Sequence, residues 1–364
     1  MVNKKNIVFF ISNLSGGGAE GVCVKIANSL VKRGWRVTVL VQNLNNGVNA
    51  KKLDSDVFLE SLDCLHIRNA FFKIRSWINK NNPSKVVVFN YYLSIMLILV
   101  RPMVRNRFYI LSRNINSFSH LSQHENNVLR SFFLSRIVKW GYGKSDVVIN
   151  QCNGMHQGFL QHFPAMKHKS LVIYNPSNAD LSTETLHTPP TDDYIVFVGR
   201  LEKQKAVHYA INVFDKISAY YPKLKLKIIG DGSLRCELEE LVQQKKLTEK
   251  VEFLGFRSKP SQYIRHARLM LLTSLFEGFP NVLVESIGCG TPVVSFDCPN
   301  GPNEIIEPGK NGFLAKYLDE GDLVQKLREC LDSPPLREDV LASAVKFSLD
   351  SITEQWERIL TDGK

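Results

Sequence analysis

Short apolar runs alternate along almost the whole chain with longer segments whose apolar positions recur at helical spacing. Ile7 to Ile11 reads as a first strand, followed by a Ser15-Gly16-Gly17-Gly18 loop. Ala19 to Lys32 follows, with Val22, Ile26, Leu30 and Val31 on one side, so it predicts a helix that Gly34 can close. Arg36 to Val41 predicts the next strand, Phe72 to Asn79 a helix and Lys85 to Phe89 a strand. Strand, helix and strand in regular succession predict a parallel, doubly wound α/β domain.

A break in this rhythm falls between residues 175 and 192. Asn175-Pro176-Ser177-Asn178 and Thr188-Pro189-Pro190-Thr191-Asp192 are turn-forming and read as a connector. A second series begins directly after it. Strands are predicted at Tyr194 to Val198, Leu224 to Ile229, Val251 to Leu254, Leu269 to Thr273 and Val293 to Phe296. Helices are predicted between them at Ala206 to Tyr220, Leu234 to Lys246, Ser261 to Ala267 and Val282 to Gly288. Two open α/β domains fit this pattern better than one barrel, and the boundaries fall at 1–178 and 190–340. Residues 341–364, with helices expected at Val340 to Phe347 and Ile352 to Leu360, come after the second strand series and are candidates to pack back on the first domain.

Length agrees with that division, since 364 residues exceed what one ordinary core needs. The seven cysteines are scattered and form no CxxC pair, which points to a reducing compartment and away from a disulfide framework or zinc cluster. The amino-terminal apolar run is too short for a signal peptide, and Tyr91 to Val100 is too short to span a bilayer.

Charge changes the picture more. Residues 1–180 hold 23 Lys and Arg against 8 Asp and Glu, or +15, while residues 181–364 hold 23 against 27, or −4. A basic first half suits an anionic bilayer, a phosphorylated substrate or nucleic acid. No base-reading or metal-finger module supports nucleic acid as the partner. Arg101, Arg105 and Arg107 follow an apolar run, and Leu129 to Trp140 mixes bulky apolar and basic residues. Such a helix can rest on anionic lipid, or it can pack into the protein.

Three places carry candidate chemistry. Gly16-Gly17-Gly18 follows a strand and opens a helix, where backbone amides can approach phosphate or carboxylate, although the GxGxxG spacing of a dinucleotide site is absent. Arg200 and Lys205 follow the first strand of the second domain. A rigid guanidinium fork and a mobile ammonium there suit a diphosphate. Glu277 lies in the Gly278-Phe279-Pro280-Asn281 loop, and Glu285 is eight positions later within an apolar helical run, expected about two turns along. Two separated carboxylates suit a polyhydroxylated ligand. Asp54-Ser55-Asp56 has the DxD spacing but reads as exposed loop, and no compact metal-ligand cluster is legible.

Taken together, Gly16-Gly17-Gly18-Ala19-Glu20, Gly199-Arg200 with Lys205, Gly230-Asp231-Gly232, Glu277-x7-Glu285, Gly290-Thr291-Pro292-Val293-Val294 and Gly301-Pro302-Asn303-Glu304 resemble retaining GT-B glycosyltransferases, particularly glycosyltransferase family 4 of the bacterial surface-polysaccharide type. The resemblance spans essentially the whole chain. It implies an α/β GT-B fold, with two Rossmann-like parallel-sheet domains facing a cleft and C-terminal helices crossing back. It implies that Arg200 and Lys205 bind the donor diphosphate, that Glu277 and the Gly278, Phe279, Pro280 and Asn281 backbone face the transferred sugar, and that Glu285 holds the ribose. Gly255, Phe256 and Arg257 are then the base-binding region. Gly16, Gly17, Gly18 and Arg113 are acceptor or phosphate-proximal, with Arg113 standing where many family members carry a histidine and His120 left outside the site.

The expected activity is retaining transfer of a hexose or N-acetylhexosamine from a nucleotide sugar, UDP-linked, to a polyprenyl-diphosphate-linked oligosaccharide in surface-polysaccharide (lipopolysaccharide or capsule) synthesis. No cofactor and no protein-bound metal are expected, and no nucleic acid partner. The expected place is cytoplasmic, peripheral on the inner face of a bacterial inner membrane. A nucleotide-sugar 2-epimerase and a non-enzymatic glycan-binding protein are the alternatives.

Overall fold

The computed structural model of the chain describes residues 5–15, 17–44, 47–64, 67–114, 128–177 and 193–362. Two compact units result, one formed by Met1–Pro176 with Leu349–Lys364 and the other by Ser177–Ser348.

In the first unit seven parallel strands, β1 (Asn6–Ile11), β2 (Arg36–Val41), β3 (Phe58–Ser61), β4 (Lys85–Val88), β5 (Tyr109–Arg113), β6 (Val147–Asn150) and β7 (Ser170–Val172), lie in the order β3-β2-β1-β4-β5-β6-β7. Helices α1 (Gly18–Lys32), α2 (Ile67–Asn81), α3 (Tyr91–Val100), α4 (Val128–Lys144) and α5 (Asn153–His162) make the connections. Because successive side chains leave a strand on opposite faces, β1 feeds two cores at once. Ile7, Phe9 and Ile11 join Val22, Ile26 and Leu30 of α1 on one face. Val8 and Phe10 join Ile74 and Leu97 of α2 and α3 on the other.

The second unit repeats the scheme with six parallel strands: β8 (Tyr194–Val198), β9 (Lys225–Ile229), β10 (Val251–Gly255), β11 (Leu269–Leu272), β12 (Val293–Phe296) and β13 (Gly312–Ala315), ordered β10-β9-β8-β11-β12-β13. Its helices are α6 (Val207–Ile217), α7 (Arg235–Gln244), α8 (Ser261–Ile264), α9 (Asn281–Gly288), α10 (Pro302–Ile305), α11 (Glu320–Asp332) and α12 (Arg337–Ala344). Predicted and observed strands agree closely, while helices differ at their ends. Ala206, predicted as helical, is left-handed at φ +43° and instead ends the short turn that carries Lys205.

The chain then returns to the first unit as α13 (Leu349–Asp362). Ile352, Trp356 and Leu360 enter the core beside α1, and Glu357 accepts hydrogen bonds from Trp35 Nε1 at 2.7 Å and Arg33 at 3.0 Å. Of the two predicted terminal helices, only the last belongs to this unit; α12 packs on α9 in the second.

Both sheets change winding direction once. In the first the reversal lies between β1 and β4, in the second between β8 and β11. At such a switch point the loops leaving two neighbouring strand ends diverge and open a crevice, so ligands collect there. Among the described residues no helix is long and apolar enough to cross a membrane.

Candidate active site

The loop after β8 and the loop after β11 leave the two strand ends at the second unit's switch point. The first begins Gly199-Arg200 and runs to Lys205; the second is Thr273 to Pro280. Hydrogen bonds to the main chain of the first loop tie them together, since Leu275 N donates to Gln204 O at 2.9 Å and the Thr273 side-chain Oγ1 donates to the carbonyls of Lys205 and Ala206 at 3.1 Å each. Residues 72 apart in sequence are thereby brought into contact. Lys205 Nζ donates to Glu277 Oε1 at 2.5 Å, and Ser274 Oγ donates to the same oxygen at 2.6 Å.

This pair is poorly hydrated, with side chains 13% and 7% exposed. Two desolvated charges are tolerated only in mutual contact with further hydrogen bonds, and Ser274 supplies one. The buried Cys298 thiol records the local field: burial, then the neighbouring Glu277 carboxylate, push it up to about 12 against the opposing Lys205 charge. Arg200 is exposed and its Nη2 reaches Gln204 Oε1 at 3.3 Å, while Gln204 Nε2 donates to Phe276 O at 3.0 Å. Arg200, Lys205 and Glu277 are therefore held by one knot of loop contacts.

The glycines flanking these loops are needed for close approach. Gly230 sits at φ +141°, and a Cβ there would collide with the carbonyl of Gly199; one at Gly232 would strike the Leu201 backbone. Gly230→Ala is expected to destabilise the second unit by about 3 kcal/mol through backbone strain and the lost approach. Urea unfolding followed alongside UDP titration checks it, since the same shift moves the Gly199-Arg200 loop and should weaken nucleotide binding.

Asn281 opens α9, so the amides of the Gly278 to Asn281 segment lie at a helix entrance. Glu285, 8% exposed, is little more than one turn inside that helix, closer to its start than the expected two turns because the loop after Glu277 is not helical. Gly255 ends β10 at φ +68°, and Phe256 and Arg257 follow it, Phe256 being 68% exposed.

In the first unit Gly16 lies outside the described residues, as does His120, whereas Gly17 and Gly18 are exposed at the start of α1. Arg113 ends β5 but turns into the core. It is 1% exposed, lies over the rings of Phe89 and Trp356 at 5.6 and 5.4 Å, and donates through Nη2 to Asn175 Oδ1. Burial lowers its pKa to about 10. Ser274, Gln204 and Asn300, whose Nδ2 donates to Glu277 O at 3.2 Å, went unnoticed in the sequence because nothing in their local spacing marks them.

Residues 180–346 match the family model of Glycosyl transferases group 1, and residues 16–181 match that of Glycosyltransferase Family 4. The chain is 26% identical over 334 residues to an uncharacterised glycosyltransferase of Methanocaldococcus jannaschii, covering 79% of this chain and 82% of that one. It is 30% identical over 223 residues to N-acetylgalactosamine-N,N'-diacetylbacillosaminyl-diphospho-undecaprenol 4-alpha-N-acetylgalactosaminyltransferase of Campylobacter jejuni, covering 61% of this chain and 59% of that one. Among solved structures, HepE of Anabaena in complex with UDP and glucose superposes with a TM-score of 0.82 at 20% identity, over 98% of this chain and 99% of that one.

Proposed function

We propose a specific reaction for what is, by its two family models and its fold, a glycosyltransferase of the GT-B class: retaining transfer of a hexose or N-acetylhexosamine from a UDP-sugar to a lipid-linked oligosaccharide in surface-polysaccharide synthesis. The observation that carries it is the buried Lys205–Glu277 pair beside Arg200 at the switch point of the second unit. A cationic fork, a second cation and a carboxylate converge where a sugar diphosphate can be gripped at both its charged and its hydroxyl-bearing ends. The bound UDP in HepE and the undecaprenol-linked substrate in the Campylobacter relative's name support donor and acceptor classes.

Arg200 and Lys205 neutralise the charge that builds on the departing diphosphate. That diphosphate oxygen takes the proton of the attacking hydroxyl on the same face, which preserves the anomeric configuration. Glu277 orients the sugar hydroxyls and offsets positive charge at the anomeric carbon. Glu285 accepts from the ribose hydroxyls, the Gly278 to Asn281 amides face the sugar, and Gly255, Phe256 and Arg257 border the base. Gly17 and Gly18 stand on the acceptor side, and Arg113 supports that side from within the core.

The first unit also offers a lipid-facing surface. On α4, Ile137 and Trp140 are about half exposed, beside exposed Arg136 and Lys139, while Val138 and Tyr142 are buried. Apolar side chains between cations suit the boundary of an anionic bilayer, which supports a peripheral position on the cytoplasmic face of a bacterial inner membrane as part of this reading.

A screen of nucleotide sugars against polyprenyl-diphosphate-linked acceptors, with the new linkage assigned by NMR, tests the reaction. Anomeric retention is expected, and a reproducibly inverted product would refute the mechanism. An epimerase would convert the nucleotide sugar with no acceptor present.

A further inference from the structure

Three consecutive residues of the loop after β11 have their main chain held from outside that loop. Leu275 N donates to Gln204 O at 2.9 Å, Leu275 O accepts from Tyr317 Oη at 2.8 Å, and Phe276 O accepts from Gln204 Nε2 at 3.0 Å. Glu277 is held on both sides. Its N–H donates to Pro299 O at 3.1 Å and its carbonyl accepts from Asn300 Nδ2 at 3.2 Å, so both contacts come from the 297–301 loop between β12 and α10.

The backbone of that third loop is shaped for the contact. Asn300 lies at φ +66° and Gly301 at φ +97°, two successive residues in the left-handed region. Asparagine enters this region at smaller cost than most residues, and its amide supplies a donor that glycine would lack. A Cβ on Gly301 would strike Pro280 Cδ, so the turn also rests against the far end of the same segment. Residues 277 and 280 are thus gripped by neighbouring residues of one turn.

The Glu277 side chain is anchored through one oxygen. Lys205 Nζ and Ser274 Oγ both donate to Oε1, and among the described residues nothing donates to Oε2. A glutamate fixed at its main chain and at one carboxylate oxygen has little rotamer freedom left, so the direction of the other oxygen is set before a ligand arrives. Releasing the main chain would return that freedom. Lys205 would keep its place, because Thr273 Oγ1 holds its carbonyl independently of Asn300.

We infer that Asn300 is a positioning residue of the donor site: by holding the Glu277 carbonyl it directs Glu277 Oε2 at the hydroxyls of the bound sugar. The inference rests on the glycosyl-transfer reading and adds to it a third loop that acts on the sugar through Glu277 and leaves the nucleotide untouched.

Calorimetric titration with UDP, UDP-glucose, UDP-galactose, UDP-N-acetylglucosamine and UDP-N-acetylgalactosamine tests it. Asn300→Gly keeps the left-handed backbone and removes the donor, whereas Asn300→Asp keeps the shape and, when ionised, offers only acceptors. Each should weaken the UDP-sugar that the wild-type chain binds best by about fivefold, while UDP affinity changes less than about twofold. In a Glu277→Gln background the Asn300→Gly loss should shrink below about twofold, because the residue through which it acts has already lost its carboxylate. A loss shared equally by UDP and UDP-sugar, wild-type UDP-sugar affinity in both variants, or the full loss persisting beside Glu277→Gln would overturn the inference. Failure of the wild-type chain to bind any of the four UDP-sugars would instead refute the donor reading on which it rests.

Discussion

Lys205→Met is expected to lower the rate of sugar transfer by about 10²–10³-fold, the range observed when one preorganised charge-stabilising donor is removed from an active site. The same change leaves Glu277 buried without its cation, which costs about 3 kcal/mol of stability in the second unit. The two losses have different causes and can be separated. In the double variant Lys205→Met with Glu277→Gln the uncompensated charge is gone, so most of the stability should return in urea unfolding. Transfer should stay at or below the single variant's rate, because neither the diphosphate cation nor the sugar-facing carboxylate is restored. Recovery of transfer together with stability would make the pair a structural clasp and refute its part in the chemistry.

What was legible in the sequence follows from how each feature is encoded. Parallel strands buried on both faces are nearly continuous apolar runs, so Arg36–Val41, Tyr194–Val198 and Val293–Phe296 have the same ends in sequence and structure. Helix ends depend on caps and tertiary contacts, so the helix predicted from Phe72 begins earlier, at Ile67. The contact between Lys205 and Glu277 spans 72 residues and has no periodic signature. Only the topology reveals it, by placing both loops at one switch point. Arg113 shows the opposite limit. A basic residue at a strand end reads as a surface ligand, yet here aromatic rings on two sides and Asn175 hold it inside.

Trp356→Ala is expected to destabilise the first unit by about 4 kcal/mol, the usual cost of deleting a buried large aromatic. The residue is fully buried and meets Phe9 at 6.1 Å between ring centroids. Arg113 lies on its other neighbouring contact, 5.4 Å from the ring, so the substitution also strips a buried cation of part of its aromatic cover. With a domain's total stability near 5–15 kcal/mol, such a loss lowers the unit's melting temperature on the order of 10 °C. Trp356→Phe keeps an aromatic surface at this position and should recover more than half of the difference. Removing residues 349–364 altogether uncovers the apolar stripe of α1 together with Phe9 and Val87, and should leave the first unit unfolded. The second unit has its own closed core and retains all of the proposed donor-binding residues, so it should still bind UDP in the truncated chain. Calorimetry with two resolved transitions, only the lower of them sensitive to Trp356, is the expected result. A single transition shifted as a whole would instead show that the last helix stabilises the entire chain cooperatively.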